Sequence, residues 1–161
     1  MRTTLARGRL RPTSPLLLAA ALYTLAGGWV HLREWLDVYR DVPATIPGAA
    51  LVRIGFPLDA GLSLVLGAAL VFCALRRSRL TPAVAAATGF MQAGSLAVLI
   101  GTRVGTVFGW TEPAWTRGAE QSRAVETGAL LMLAAALAVA VRLGRPERLG
   151  GVHPGAVSAT A

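Results

Sequence analysis

Lysine and asparagine are absent from the 161 residues, and cysteine occurs once. Without asparagine there is no N-glycosylation acceptor. The single cysteine, Cys73, excludes an intrachain disulfide and a thiolate metal cluster. It lies inside an apolar run and reads as a small core or lipid-facing residue. No G-x-G-x-x-G, Walker A, H-E-x-x-H, CxxC or G-x-S-x-G pattern occurs, and no cofactor is expected. The missing lysine, beside abundant alanine, arginine and glycine, indicates avoidance of AT-rich codons and a high-GC bacterial source.

Charge is scarce as well: 15% of residues are charged against 54% hydrophobic, and mean hydropathy is +0.56. These values suit a chain dissolved in lipid. A net charge of +8 would by itself invite a nucleic-acid partner. The arginines instead flank apolar runs on alternate sides, so the partner expected is the lipid bilayer and not nucleic acid. A membrane protein partner or a second copy of the chain is a further candidate.

Four apolar runs stand out, at about 16–35, 54–75, 81–102 and 124–143. Each approaches the roughly 20 residues with which a helix crosses a ~30 Å hydrocarbon core. Helix is the default there because every backbone group must be bonded within its own segment. The first run could be a signal peptide, but it continues through Trp29 and Val30 without a cleavage motif. The expectation is an all-α, four-helix transmembrane bundle over 14–143. A basic cytoplasmic segment (1–13) precedes it, and a disordered cytoplasmic Gly/Pro/Arg tail (144–161) follows.

Arginine placement sets the expected orientation. With the N-terminus inside, the inner segments hold Arg2, Arg7, Arg9, Arg11, Arg76, Arg77, Arg79, Arg142, Arg145 and Arg148. The outer side holds Arg33, Arg40, Arg53, Arg103, Arg117 and Arg123. Ten against six favours N-in and C-in, which four crossings satisfy. His31 and His153 then lie on opposite sides, which argues against bis-histidine haem ligation within one chain. Trp29, Trp35, Trp110 and Trp115 share the outer side, so the outer loops are expected to contain short interfacial segments.

Each run also carries polar and small residues at helical spacing, the means by which membrane helices meet. They are Thr24, Gly27, Gly28, His31, Glu34 and Trp35 in the first run and Gly55, Asp59, Ser63 and Gly67 in the second. Thr88, Gln92, Ser95 and Thr102 follow in the third, and Ser122 or Arg123 leads to Glu126 in the fourth. Counting 1.5 Å per residue places His31, Asp59 and Glu126 at a similar level in the outer half, with Gln92 deeper. Arg53, Arg103 and Arg123 ring that level as charge partners.

Two readings of these groups stand side by side. Asp59 with Arg53 or Arg103, and Glu126 with Arg123, are ion pairs that fix helix register, with His31 satisfied by a carbonyl or by Glu34. Alternatively His31, Glu34, Asp59, Gln92 and Glu126 form a ligand pocket, because costly ionisable groups at depth face the bundle interior. If a metal is bound, His31, Asp59 and Glu126 are its candidate ligands.

The order of parts resembles small bacterial four-helix membrane proteins described as DoxX-like. More narrowly, GGWVHLREW in the first run, FGWTEPAW in the second outer loop and Glu126 after it resemble a group of small membrane proteins from high-GC bacteria, and the likeness covers about residues 16–143. DoxX-type proteins are associated with membrane oxidoreductase complexes, but no motif here carries a redox role. The first expectation is therefore a non-enzymatic bundle binding a small ligand, a lipid headgroup or a partner subunit at the outer cluster. The alternative is an oxidoreductase subunit or metal-dependent enzyme using His31 with nearby carboxylates. A proton-coupled carrier ranks below both.

Overall fold

The computed structural model describes residues 13–76 and 78–144. The basic segment 1–12, Arg77 and the tail 145–161, with its expected disorder, lie outside the described residues. Four helices make up the described chain: α1 (Ser14–Glu34), α2 (Ala49–Leu75), α3 (Thr81–Val104) and α4 (Arg117–Gly144). All four are long and apolar enough to cross a membrane. The chain is built as a multi-pass helical membrane protein.

Proline starts two of these helices. Pro15 and Pro82 sit in the first turns of α1 and α3, where a missing N–H costs nothing. Pro57 lies inside α2 and deprives the Arg53 carbonyl of its helical donor. The Trp35 indole Nε1 donates to that oxygen at 3.0 Å. One side chain from the neighbouring helix thus repairs the ladder, as a low-dielectric setting requires.

α1 packs most extensively, against α2 and α4, while α3 closes the ring against α4 and, least extensively, α2. The small residues of α1 work as the spacing predicts. A Cβ on Gly28 would stand 2.6 Å from the Ser63 Cβ, and one on Gly67 would stand 2.7 Å from the Leu25 side chain. The α1 and α2 backbones therefore approach too closely for larger residues. Between α1 and α4, the Tyr23 ring lies 2.7 Å from where a Gly128 Cβ would be.

Apolar side chains point both inward and outward. Leu17, Ala20, Ala21, Leu70, Ala74, Leu133 and Ala136 form a core toward one end. Leu22, Trp29, Leu64, Phe72, Phe90 and Leu137 are exposed, an outer surface suited to acyl chains rather than water. The polar residues gather inside, toward the opposite end. That end carries Trp35, Trp110 and Trp115 and is called the tryptophan end below.

Helix bounds differ from the hydropathy runs at the tryptophan end. α1 runs on into a π-turn over Trp35–Tyr39, closed by Arg40 N–H to Trp35 O at 2.9 Å. α2 begins at Ala49 and α4 at Arg117, several residues before their apolar runs. Hydropathy registers the hydrocarbon layer, whereas a helix persists past it wherever the next turn satisfies its end. The 105–116 connection is a tight hairpin, with Val107 and Trp110 exchanging both backbone bonds at 2.9 Å. Phe108 and Gly109 take φ of 49° and 84°, the two left-handed positions of such a turn. Gly48 (φ 75°) lies directly against the Gly109–Trp110 backbone, so the two connections at this end interlock.

Candidate functional site

Close approach of α1 to α2 and α4 brings side chains from all four helices to one point. His31 on α1 is 7% exposed and Glu126 on α4 only 1%. Nε2 of His31 lies 2.9 Å from Glu126 Oε1. From α3, the Ser95 hydroxyl donates to the same Glu126 oxygen at 2.9 Å. From α2, Asp59 brings Oδ1 to 3.7 Å from His31 Nε2, beyond a direct hydrogen bond, and accepts the Ser63 hydroxyl at 3.2 Å. The Phe56 ring stands edge-on to the imidazole, 5.1 Å between centroids.

The cluster is short of partners. His31 Nδ1, Glu126 Oε2 and Gln92 Oε1 are buried with no hydrogen-bond partner among the described residues. A buried polar group left unmet costs about 1–3 kcal/mol, so atoms of this kind are suited to meeting a bound polar group. Gln92 is 2% exposed and sits one turn from Ser95 on α3, toward the middle of the helix.

A second polar group occupies the tryptophan end. The Tyr39 hydroxyl donates to the Glu112 carboxylate at 2.7 Å, and Arg103 Nη1 lies 3.7 Å from Glu112 Oε2. Arg103 Nη1 also donates to Thr102 Oγ1 at 2.9 Å, while its Nε and Trp110 Nε1 are buried without a partner among the described residues. Phe56 packs 4.6 Å from Tyr39, and Tyr39 lies 6.2 Å from Trp110. An aromatic file thus runs from His31 through Phe56 and Tyr39 to Trp110.

Between the two polar groups lies a cavity of about 250 Å³. Leu51, Val52 and Phe56 of α2 and Val98 and Leu99 of α3 form its walls, with His31, Asp59 and Ser95 at one end. Arg103, Trp110 and Glu112 line the other. Largely apolar walls with a few convergent polar groups are the usual make-up of a small-molecule site.

Of the candidates read from sequence, His31, Asp59 and Glu126 meet, and Gln92 lies one turn away. Glu34 does not join them: its carboxylate occupies the space beside Gly118, at the start of α4. Arg103 lines the cavity but approaches Glu112 rather than Asp59. Arg123 lies over the Trp115 ring at 5.0 Å, with Arg103 over the same ring at 5.5 Å. Arg53 lines a separate surface depression with Trp35 and Arg40. The carboxylates at depth are thus organised by a histidine and two serines.

Ser95 and Ser63 stood in the polar stripes of the sequence and enter the site through them. Phe56, Tyr39, Trp110 and Glu112 had no such signal, since two of them depend on connecting loops. Among the described residues, no group of three or more His, Cys, Asp or Glu side chains is arranged to hold a metal ion. Cys73 is buried, on the α2 segment away from the tryptophan end. No family model, curated protein or solved structure matches this chain.

Proposed function

We propose that this chain is a bacterial inner-membrane protein, both termini cytoplasmic, that binds a small ligand at the cluster around His31 without transforming it. The observation that supports this reading is the convergence of one polar side chain from each helix beside a cavity with apolar walls. His31 and Asp59 offer the ligand a hydrogen-bonding end, and Glu126 with Ser95 holds the imidazole in place. The arginine distribution supports an outward-facing tryptophan end. The likeness to DoxX-type proteins contributes an architecture to this reading and no reaction.

Two measurements test it. In a Cys73→Ala background, Thr111→Cys is expected to react with an impermeant maleimide on intact cells, and Ser78→Cys only after lysis; the reverse pattern inverts the orientation. For the ligand, protein isolated in native-lipid nanodiscs is extracted and analysed by mass spectrometry beside Val98→Trp, which fills the cavity. A species held by the wild type and missing from Val98→Trp is expected. Identical extracts and identical melting temperatures would remove the cavity as a binding site.

A further inference from the structure

The cavity is not fully enclosed, and the position of its opening restricts what can enter. At the tryptophan end its lining is partly covered: the Arg103 side chain is 5% exposed, Glu112 21%, and Trp110 is half-buried. The Tyr39–Glu112 bond and the Gly48–Gly109 contact hold that cover in place. The α2–α3 seam is the loosest in the ring, and there Gly94 lines the cavity while itself being exposed. A Cβ on Gly94 would meet no atom within 4 Å. On the facing helix, a Cβ on Gly55 would approach only Leu51 of its own helix, at 4.0 Å. Neither glycine has a positive φ, and each is a weaker helix former than alanine. Open space at the seam is what they provide.

Gly94 stands ten residues before the last residue of α3, about 15 Å along the axis, and so near the middle of a ~30 Å hydrocarbon layer. The opening therefore faces acyl chains. A charged group is costly at that depth, so a molecule using this route travels as a neutral species. Its polar end then meets Asp59, which lines the inner end and already accepts the Ser63 hydroxyl. Among the neutral groups that can donate to a carboxyl (hydroxyl, amide, indole N–H), a hydroxyl is the most compact and brings no carbonyl to desolvate.

We propose that the cavity is filled sideways from the bilayer, through the gap at Gly94 and Gly55, by a neutral lipid-soluble alcohol or phenol whose hydroxyl donates to Asp59. This rests on the ligand-binding reading above and adds the route and the chemical class.

The test uses the full chain in nanodiscs and a lipid-soluble photoprobe, a phenyl trifluoromethyl diazirine with a para hydroxymethyl group. A companion probe has methyl in place of hydroxymethyl, and a third, sulfonated and membrane-impermeant, is supplied from the aqueous phase. Labelled peptides are located by mass spectrometry. The hydroxymethyl probe is expected to label the Phe56 and Val98–Leu99 walls saturably, in competition with trifluoromethyl benzyl alcohol. It should exceed the methyl probe there by about tenfold, the weight of one hydrogen bond. Asp59→Ala should abolish that preference while the methyl probe still labels the walls, which shows the fold intact. Gly94→Leu should cut wall labelling about tenfold, and Gly61→Leu, at an equally open glycine outside the cavity lining, should not.

Unsaturable labelling spread over the lipid-facing helices, or full labelling of Gly94→Leu, overturns the proposal. Wall labelling by the sulfonated probe that survives Gly94→Leu also overturns it, by showing an aqueous route, yet leaves the ligand pocket standing. Loss of the pocket itself would be read separately, from identical extracts of wild type and Val98→Trp.

Discussion

The bond between His31 and Glu126 is the contact on which the arrangement depends, and its strength is measurable. At 2.9 Å, with Glu126 1% exposed, it is a hydrogen bond to a carboxylate in a low-dielectric interior. Asp59, at 3.7 Å, is too far to bond the imidazole directly. A double-mutant cycle with His31→Ala and Glu126→Ala removes the effects that each substitution has elsewhere, including the lost Phe56 contact. Neutral hydrogen bonds between membrane helices average about 0.6 kcal/mol and reach about 1.7. Bonds to charged groups contribute about 1.5–3 kcal/mol.

The expected His31/Glu126 coupling is therefore about 2–3 kcal/mol, and that of His31/Asp59 below about 1 kcal/mol. Equilibrium unfolding in mixed micelles gives both values. Glu126→Gln keeps an acceptor for Nε2 and for Ser95, so it should cost much less than Glu126→Ala, for which loss of one buried partner is about 3–5 kcal/mol. A His31/Glu126 coupling at or below about 0.6 kcal/mol, or the opposite order of the two pairs, refutes the geometry as the source of stability.

Three further outcomes follow from particular contacts. Gly28→Ala places a methyl 2.6 Å from the Ser63 Cβ and should cost about 1–3 kcal/mol by overpacking; Gly61→Ala, in open space, should be neutral or slightly stabilising in the same unfolding assay. Pro57→Ala returns a helical donor to the Arg53 carbonyl, which now accepts from Trp35 Nε1, so the Trp35 indole proton should exchange faster by NMR. Tyr39→Phe removes the phenolic bond to Glu112 and should lower the melting temperature, with a loss of about 1 kcal/mol at this part-buried position; an unchanged melting temperature would show that the cover over the cavity does not depend on it.

Four crossings were legible because hydrocarbon imposes one rule on every segment that spans it. The small-residue stripes were legible for a related reason: Gly28 and Gly67 recur at helical spacing, and membrane helices have few other means of close approach. The level shared by His31, Asp59 and Glu126 followed from rise per residue alone. What spacing could not supply was the rotation of each helix about its axis and the shape of the connections. Glu34 lies one turn from His31 and was grouped with it, yet it is directed at Gly118. Arg123, three residues before Glu126, was read as its charge partner and instead stacks on Trp115. A planar guanidinium has a favourable place over an indole face near an interface, and Glu126 has its donors already.

The site's upper half was hidden for a sharper reason. Tyr39 is 5% exposed only because the π-turn over Trp35–Tyr39 changes the phase at which α1 ends. A strict 3.6-residue count cannot anticipate that extra residue. Trp110 and Glu112 arrive from a hairpin whose position depends on the Gly48–Gly109 contact, a meeting of two loops distant in sequence. Local signals can reveal that VFGW turns, but not what it turns over.

The composition of the cluster argues against a role limited to register. A bundle that needed only to fix its helices could use neutral side chains like Thr24 and Thr88, which bond their own helix at Ala20 and Val84. Replacing buried ion pairs with well-packed apolar groups is often neutral or stabilising. Here a histidine and two carboxylates share one level, three buried polar atoms have no partner among the described residues, and the space beside His31 and Asp59 is walled by leucine, valine and phenylalanine. Of the residues carrying those atoms, His31 lines the cavity, beside Asp59 and Ser95, while the apolar end of the same bundle is closed by alanine and leucine. A ligand whose polar group meets Asp59 in that cavity would stabilise the fold, and the stabilisation would grow with its concentration. Melting temperature measured against added trifluoromethyl benzyl alcohol should therefore rise for the wild type and stay flat for Val98→Trp; equal curves would show that the cavity does not take up this class of molecule.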